Sequence, residues 1–263
     1  MAKLKNYFPL AVILLIYSSC GVSGPQYNLY GPAMYANDIS YQPKPLSTDS
    51  VHHSTYASAT YWSGSPTNNN NNGDEITGWQ LNVGQGHTFK GFNIAYSAFA
   101  GFGSYLNQTN NTTSQPNYFK NESFGNAGGR FSANTFITSG LVDIRLVGFE
   151  MAYSHEFGDY AGYRRNVAGQ TNYFVDTRTD LVTLGGTSEV VWHSRKQPLQ
   201  FGLRLFLGET LGDNSYKNAN DPSHLYYPNQ QDFSMAYFMQ IKNAIFVLEV
   251  NNGGGQLKAG LRF

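Results

Sequence analysis

The chain is 263 residues long, with 17 basic against 17 acidic side chains and only 13% of its residues charged. So neutral a composition excludes a nucleic-acid partner, which needs a basic face, and a single cysteine excludes a disulfide framework or a cysteine-held metal. Aromatic residues reach 15% and glycines number 28, a mixture shared by membrane barrels with aromatic girdles and by secreted β-sandwiches.

At the N terminus, Lys3 and Lys5 precede the apolar run Phe8 to Ile16, and small residues then lead to Cys20. Such a run is too short to span a bilayer as a helix and reads as a secretory signal, residues 1–19. The end Ser18-Ser19-Cys20-Gly21 resembles a bacterial lipobox, although Tyr17 stands where that pattern prefers Leu. The resemblance implies that Cys20 is freed, acylated and made the mature N terminus. Residues 20–53 then read as an extended, lipidated periplasmic tether, punctuated by Pro25, Pro32, Pro43 and Pro45 and without helical period. No acidic cluster follows Cys20, a departure from surface-directed lipoproteins of the Bacteroidota, so the lipid is expected in the periplasmic leaflet.

Residues 54–263 break into runs with apolar alternation: 54–64, 76–87, 91–105, 130–139, 141–156, 177–193, 198–211, 232–241, 244–251 and 256–263. The connections 65–75, 106–129, 157–176 and 212–231 are long and polar, whereas 88–90, 194–197 and 242–243 are short. This alternation predicts an all-β fold, a single antiparallel up-and-down transmembrane barrel of about ten strands, or eight if Ser139-Gly140 is not a turn. Ten strands place both ends of the barrel on the periplasmic side.

Several runs have one face free of charge. Leu199, Phe201, Leu203, Leu205 and Leu207 oppose Gln200, Gly202, Arg204 and Gly208, and Trp79, Leu81 and Val83 oppose Gln80, Asn82 and Gly84. A soluble barrel would turn the apolar face inward. Here it is expected to meet lipid, which puts Glu150, Glu189, Glu249, Arg204, Lys258 and Arg262 inside as a structural charge network, paired because lone buried charges are costly.

No catalytic, metal or cofactor site is expected. Ser154-His155-Glu156 and His193-Ser194 offer hydrolytic residue types, but neighbours on a strand point to opposite faces. His52-His53 at the tether's end reads as a solvated pair. The candidate binding surface lies in the long loops, where Tyr163, Arg164 and Arg165 in one, and Tyr226 and Tyr227 in another, mix rings with cations.

The last strand, Gln256 to Phe263, resembles the C-terminal strand of outer-membrane barrels, which implies that Leu261 and Phe263 are read by the barrel-assembly machinery. With the tether Tyr41-Gln42-Pro43-Lys44-Pro45-Leu46 and the ending Gly260-Leu261-Arg262-Phe263, the chain resembles small outer-membrane β-barrel lipoproteins of the Bacteroidota. That resemblance implies a cell outer-membrane location among outer-membrane lipid and carries over no catalytic residue. The expected function is non-enzymatic: a structural, surface-binding or partner subunit of a larger envelope complex. Two alternatives stand beside it, a peripheral soluble β-sandwich or calyx lipoprotein that binds a ligand, and a lipid-modifying barrel enzyme.

Overall fold

The computed structural model describes residues 28–46, 52–64, 75–107, 120–168, 173–194, 198–212, 216–217, 225–226 and 231–263. The expected signal peptide, Cys20 and Tyr227 lie outside them. The elements in chain order are β1 (Asn28–Tyr30), β2 (His53–Gly64), β3 (Glu75–Thr88), β4 (Phe92–Asn107), β5 (Lys120–Ser139), β6 (Val142–Phe157), α1 (Asp159–Val167), β7 (Tyr173–Val175), β8 (Asp180–His193), β9 (Leu199–Thr210), β10 (Tyr216–Lys217), β11 (Leu225–Tyr226), β12 (Gln231–Ile241), β13 (Ala244–Asn251) and β14 (Gly254–Arg262).

Ten of these strands close a barrel in the order β2-β3-β4-β5-β6-β8-β9-β12-β13-β14, every neighbour antiparallel. Closure is completed by β14 on β2, where Phe263 exchanges backbone hydrogen bonds with Thr55. The strand number is ten rather than eight because the chain does turn after Ser139: Gly140 takes φ +64°, a left-handed conformation in which glycine escapes the Cβ clash. Strand β5 is longer than its alternation suggests, since Lys120 to Gly129, expected in a loop, pair with β4 and β6.

Side chains sort by face as a membrane barrel requires. Leu81 is 68% exposed and Val147 70%, and Trp79, Val83, Phe102, Leu205, Leu207, Leu248 and Leu257 also point outward. Gln80, Asn82, Glu150, Glu189, Arg204 and Glu249 are buried inside. A continuous apolar exterior over most of the strands is far larger than a soluble monomer exposes, while a polar, filled interior with lipid outside is what a transmembrane barrel needs. The protein is a transmembrane β-barrel of the outer-membrane type. A soluble sandwich or an inward-apolar calyx does not form. No helix among the described residues is long and apolar enough to cross a membrane, and none is required when strands do the crossing.

The two ends differ. The β3–β4, β5–β6, β8–β9 and β12–β13 connections are tight and share one end with the start of β2 and with Phe263. The connections carrying α1, β7, β10 and β11 lie at the other, where β1, β7, β10 and β11 make a small four-stranded sheet.

Inside, aromatic rings rest on glycines, so wall and filling are matched in shape. Phe238 faces Gly202 across the β9–β12 ladder, and a Cβ on Gly202 would lie 2.4 Å from Phe238 Cζ. Gly202→Val is therefore expected to lower stability by about 1–3 kcal/mol through overpacking, read as the denaturant midpoint in detergent micelles. An unchanged midpoint would mean that this ring has room to move aside.

Candidate functional site: the plugged lumen

The segment expected as a periplasmic tether is instead the filling of the barrel. Residues 30–46 are almost wholly buried, from Tyr30 and Met34 through Asp38 and Tyr41 to Lys44 and Leu46. The physical reason is the lumen itself: a wall lined with Gln, Asn, Ser and ionised groups cannot be left dry and unpaired. This proline-broken segment, which makes few backbone bonds of its own, offers both donors and apolar side chains.

Its path can be followed by its partners. At the long-loop end, Asn28–Tyr30 pairs in parallel with Tyr173–Val175, and Tyr160 Oη donates to the Gly31 carbonyl at 2.9 Å. Ala33 N–H then donates to Glu156 Oε2 at 2.5 Å. Asn251 Nδ2 reaches the Ala36 carbonyl at 2.6 Å, and Thr183 Oγ1 donates to Asp38 Oδ2 at 2.8 Å. Lower down, Ser40 Oγ and Tyr41 N–H both donate to Glu249 Oε2 at 3.0 Å, while the Tyr41 ring stacks on Phe238 with centroids 4.1 Å apart. Near the short turns, Lys44 Nζ lies 2.8 Å from Glu189 Oε1, and Thr88 Oγ1 donates to the Pro45 carbonyl at 2.7 Å. Residues 30–46 thus run the length of the lumen, and Asn28 and Phe263 stand at opposite ends of the barrel. The expectation that both termini share one side holds for the barrel strands but not for the chain that enters them.

The charges fall into three tiers. In the central one, Arg204 bridges two strands away on either side, pairing with Glu150 and, through Nη1 at 3.0 Å, with Glu249. Lys258 Nζ closes this tier by donating to Ser40 Oγ at 2.6 Å and to the Tyr41 carbonyl at 2.7 Å. Toward the short turns, Glu189 sits between Lys44 and Arg145, the latter at 2.6 Å. Toward the long loops, Glu156 pairs with Arg164 at 2.5 Å. Arg130 spans the upper tiers, donating to Asn82 Oδ1 at 2.5 Å, Gln80 Oε1 at 2.7 Å and the Asp38 carbonyl, with its guanidinium 4.2 Å over the Phe99 ring. Glu150, Glu156, Glu189, Glu249, Arg145, Arg164, Arg204 and Lys44 are ion-paired, and Arg130 and Lys258 are held by hydrogen bonds to neutral oxygens, the conditions under which buried ions are tolerated.

Of the residues singled out from sequence, Glu150, Glu189, Arg204, Glu249 and Lys258 all lie in the lumen. Arg262 does not join their cluster: it is half-buried at the short-turn rim, where Nε donates to Ser54 Oγ at 2.8 Å. Arg164 is corrected too. It is fully buried, held by Glu156 and by the Asp176 and Arg178 carbonyls, because helix α1 turns that face onto the barrel mouth. Tyr163 is half-buried against Tyr30 and Tyr105, and Arg165 is exposed. Tyr226 lies on β11, paired with Tyr216. Leu261 and Phe263 point outward, to the lipid side.

Sequence reasoning missed Lys44, Arg130, Arg145 and Glu156. Arg130 and Glu156 occupy inward positions in step with the alternation of their strands, so strict period-2 bookkeeping reaches them. Arg145 is not reached, because a register shift between Arg145 and Gly148 puts it out of step with Glu150. Lys44 carries no such signal. Ser154 and His155 face opposite ways, Ser154 inside and His155 outside against Asp180 at 2.9 Å. Among the described residues no group of His, Cys, Asp and Glu is placed to hold a metal ion.

No family model matches the chain, and no curated protein matches it. Among solved structures it is similar to the β domain of the Bordetella autotransporter BrkA, with a TM-score of 0.41 and 9% identity over 81% of this chain and 99% of that one. It is similar also to the transport unit of the autotransporter AIDA-I from Escherichia coli, with a TM-score of 0.33 and 12% identity over 89% of this chain and 98% of that one. The translocator domain of the autotransporter NalP from Neisseria meningitidis gives a TM-score of 0.32 and 9% identity, covering 83% and 91% of the two chains.

Proposed function

We propose that the protein is a closed, non-enzymatic outer-membrane barrel lipoprotein, anchored through Cys20 and serving as a rigid wall-embedded element of the cell envelope. Its short turns and Phe263 face the periplasm, and its long loops present a binding surface for a partner in a larger envelope complex. The resemblance to Bacteroidota lipoproteins and the outward Leu261 and Phe263, suited to the assembly machinery, support this reading. The observation that carries it is the occupied lumen: residues 30–46 fill the bore from end to end and are tied to it by Lys44–Glu189 and by the Glu249 contacts. Wall side chains fill the interior of a barrel of about eight strands, and in this wider ten-stranded one residues 30–46 take up the added space. With that segment inside, the described residues support a closed bore.

Planar-bilayer recording tests the proposal. The full-length protein is expected to insert without steady conductance, while Lys44→Glu, which sets two carboxylates against each other, is expected to give intermittent openings as the segment loosens. Steady conductance from the unaltered protein would replace the plugged element with a channel.

A further inference from the structure

The direction in which residues 28–46 thread the barrel decides where the chain ahead of them goes. Asn28–Tyr30 is fixed at the long-loop end by its pairing with Tyr173–Val175 and by the hydrogen bond from Asp176 N–H to the Tyr30 carbonyl at 2.9 Å. The bore below is occupied by Gly31 to Leu46, so the preceding chain has no way back through it. Asn28 lies eight residue steps after Cys20, with seven residues between them, and fully extended that span reaches at most about 28 Å.

The leaflet at the short-turn end lies beyond a hydrocarbon layer about 30 Å thick. To arrive there from Asn28, the chain would first climb over the rim and then descend outside the wall. A lone extended strand on that route would carry unpaired backbone N–H and C=O groups through lipid, which bilayers do not accommodate. The near leaflet is within easy reach. No charged residue stands between Cys20 and Asp38, so nothing in that stretch opposes its lying against a membrane surface.

We propose that the chain threads its own barrel from the long-loop face to the short-turn face, so that the acyl chains on Cys20 enter the leaflet at the long-loop end, which is the outer leaflet at the cell surface. This rests on the lipid anchor and the orientation given under Proposed function. It reverses the periplasmic leaflet expected from the absence of acidic residues after Cys20. The barrel would then be held by two devices facing the same way, its loops and its lipid.

The test uses the full chain in intact cells. One epitope is inserted between Gly24 and Pro25, and in a separate variant the same epitope is placed in the 65–74 connection, to report orientation. Antibody labelling of both before lysis is expected. A labelled 65–74 epitope with a Gly24 epitope reached only after lysis overturns the threading. A 65–74 epitope hidden until lysis overturns the orientation beneath it, and the outer-leaflet assignment with it. Growth with an alkynyl fatty acid reads the anchor separately: wild type is expected to take up label and Cys20→Ala to lose it. An unlabelled wild type removes the lipid from the proposal, whatever the epitopes report.

Discussion

Arg204→Met is expected to be the most destabilising single change in the lumen. Arg204 neutralises Glu150 and Glu249 from one guanidinium and also donates to Ser234 Oγ at 2.9 Å. Methionine fits the volume but leaves two buried carboxylates with Lys258 as the remaining cation of their tier, and its ammonium is bonded to Ser40 and Tyr41 rather than to either of them. Breaking a buried pair in this way costs about 3–5 kcal/mol. Glu249 keeps Ser40, Tyr41 and Ser234 as donors, and Ser234 is close enough to compensate in part. Glu150 keeps only Ser132 Oγ, at 3.3 Å, among its contacts here, so the loss is felt chiefly there.

Two measurements separate a charge effect from a packing effect. Unfolding by urea in micelles, followed by the gel shift between folded and heat-denatured barrel, gives the loss for Arg204→Met. The triple variant Arg204→Met, Glu150→Gln, Glu249→Gln removes the charges together and is expected to recover most of it, since neutral isosteres of a buried ionic cluster are often nearly as stable. If Arg204→Met unfolds at the wild-type midpoint, the central tier is water-filled rather than sealed by the segment beside it.

The contrast between the strands and the plug shows which information is local. In the middle of β3, β9 and β12 the outward residues form apolar rows and the two faces alternate strictly, so period 2 sets the side of each residue, although Ile76, Phe206 and Phe238 are apolar and point inward. The first half of β5 hides because Gly125, Gly128 and Gly129 replace the large residues that would mark a face; its pairing is fixed by β4 and β6 on either side. Helix α1, Asp159-Tyr-Ala-Gly-Tyr-Arg-Arg-Asn-Val, is short and contains a glycine, and its shape follows from docking Tyr160 and Arg164 onto the mouth. The plug is the extreme case. Pro32, Pro43 and Pro45 prevent any regular element, so Tyr30 to Leu46 carries no period to read. Its place is set by partners more than a hundred residues away: Glu156 for Ala33, Glu189 for Lys44, Glu249 for Tyr41. The lumenal charges were legible as inward positions; what they pair with was not, because one partner is supplied by a segment that sequence alone assigns elsewhere.

Leu81→Arg probes the opposite side of the wall. Leu81 stands near the middle of β3, six residues from Glu75 and seven from Thr88, and is flanked across the ladder by Ala59 and Ala100. Neither neighbour offers a carboxylate or a carbonyl within reach of a guanidinium, and the strand's middle is the depth from which an arginine has farthest to snorkel. In lipid the substitution is expected to cost about 2–4 kcal/mol, falling to about 0–1 kcal/mol for the same residue near an interface. Leu211→Arg, just past β9 at the long-loop rim, supplies that comparison, since its side chain is exposed and its backbone N–H is already bonded to Val182. The quantity to measure is the difference between the two variants on refolding into vesicles, because changes common to both, such as lost apolar contact, cancel. In water an exposed leucine exchanged for arginine is worth within about 0.5 kcal/mol either way. Equal values at Leu81 and Leu211 would therefore place the exterior in water, and a gap of about 2 kcal/mol or more follows only from a depth-dependent hydrocarbon surround.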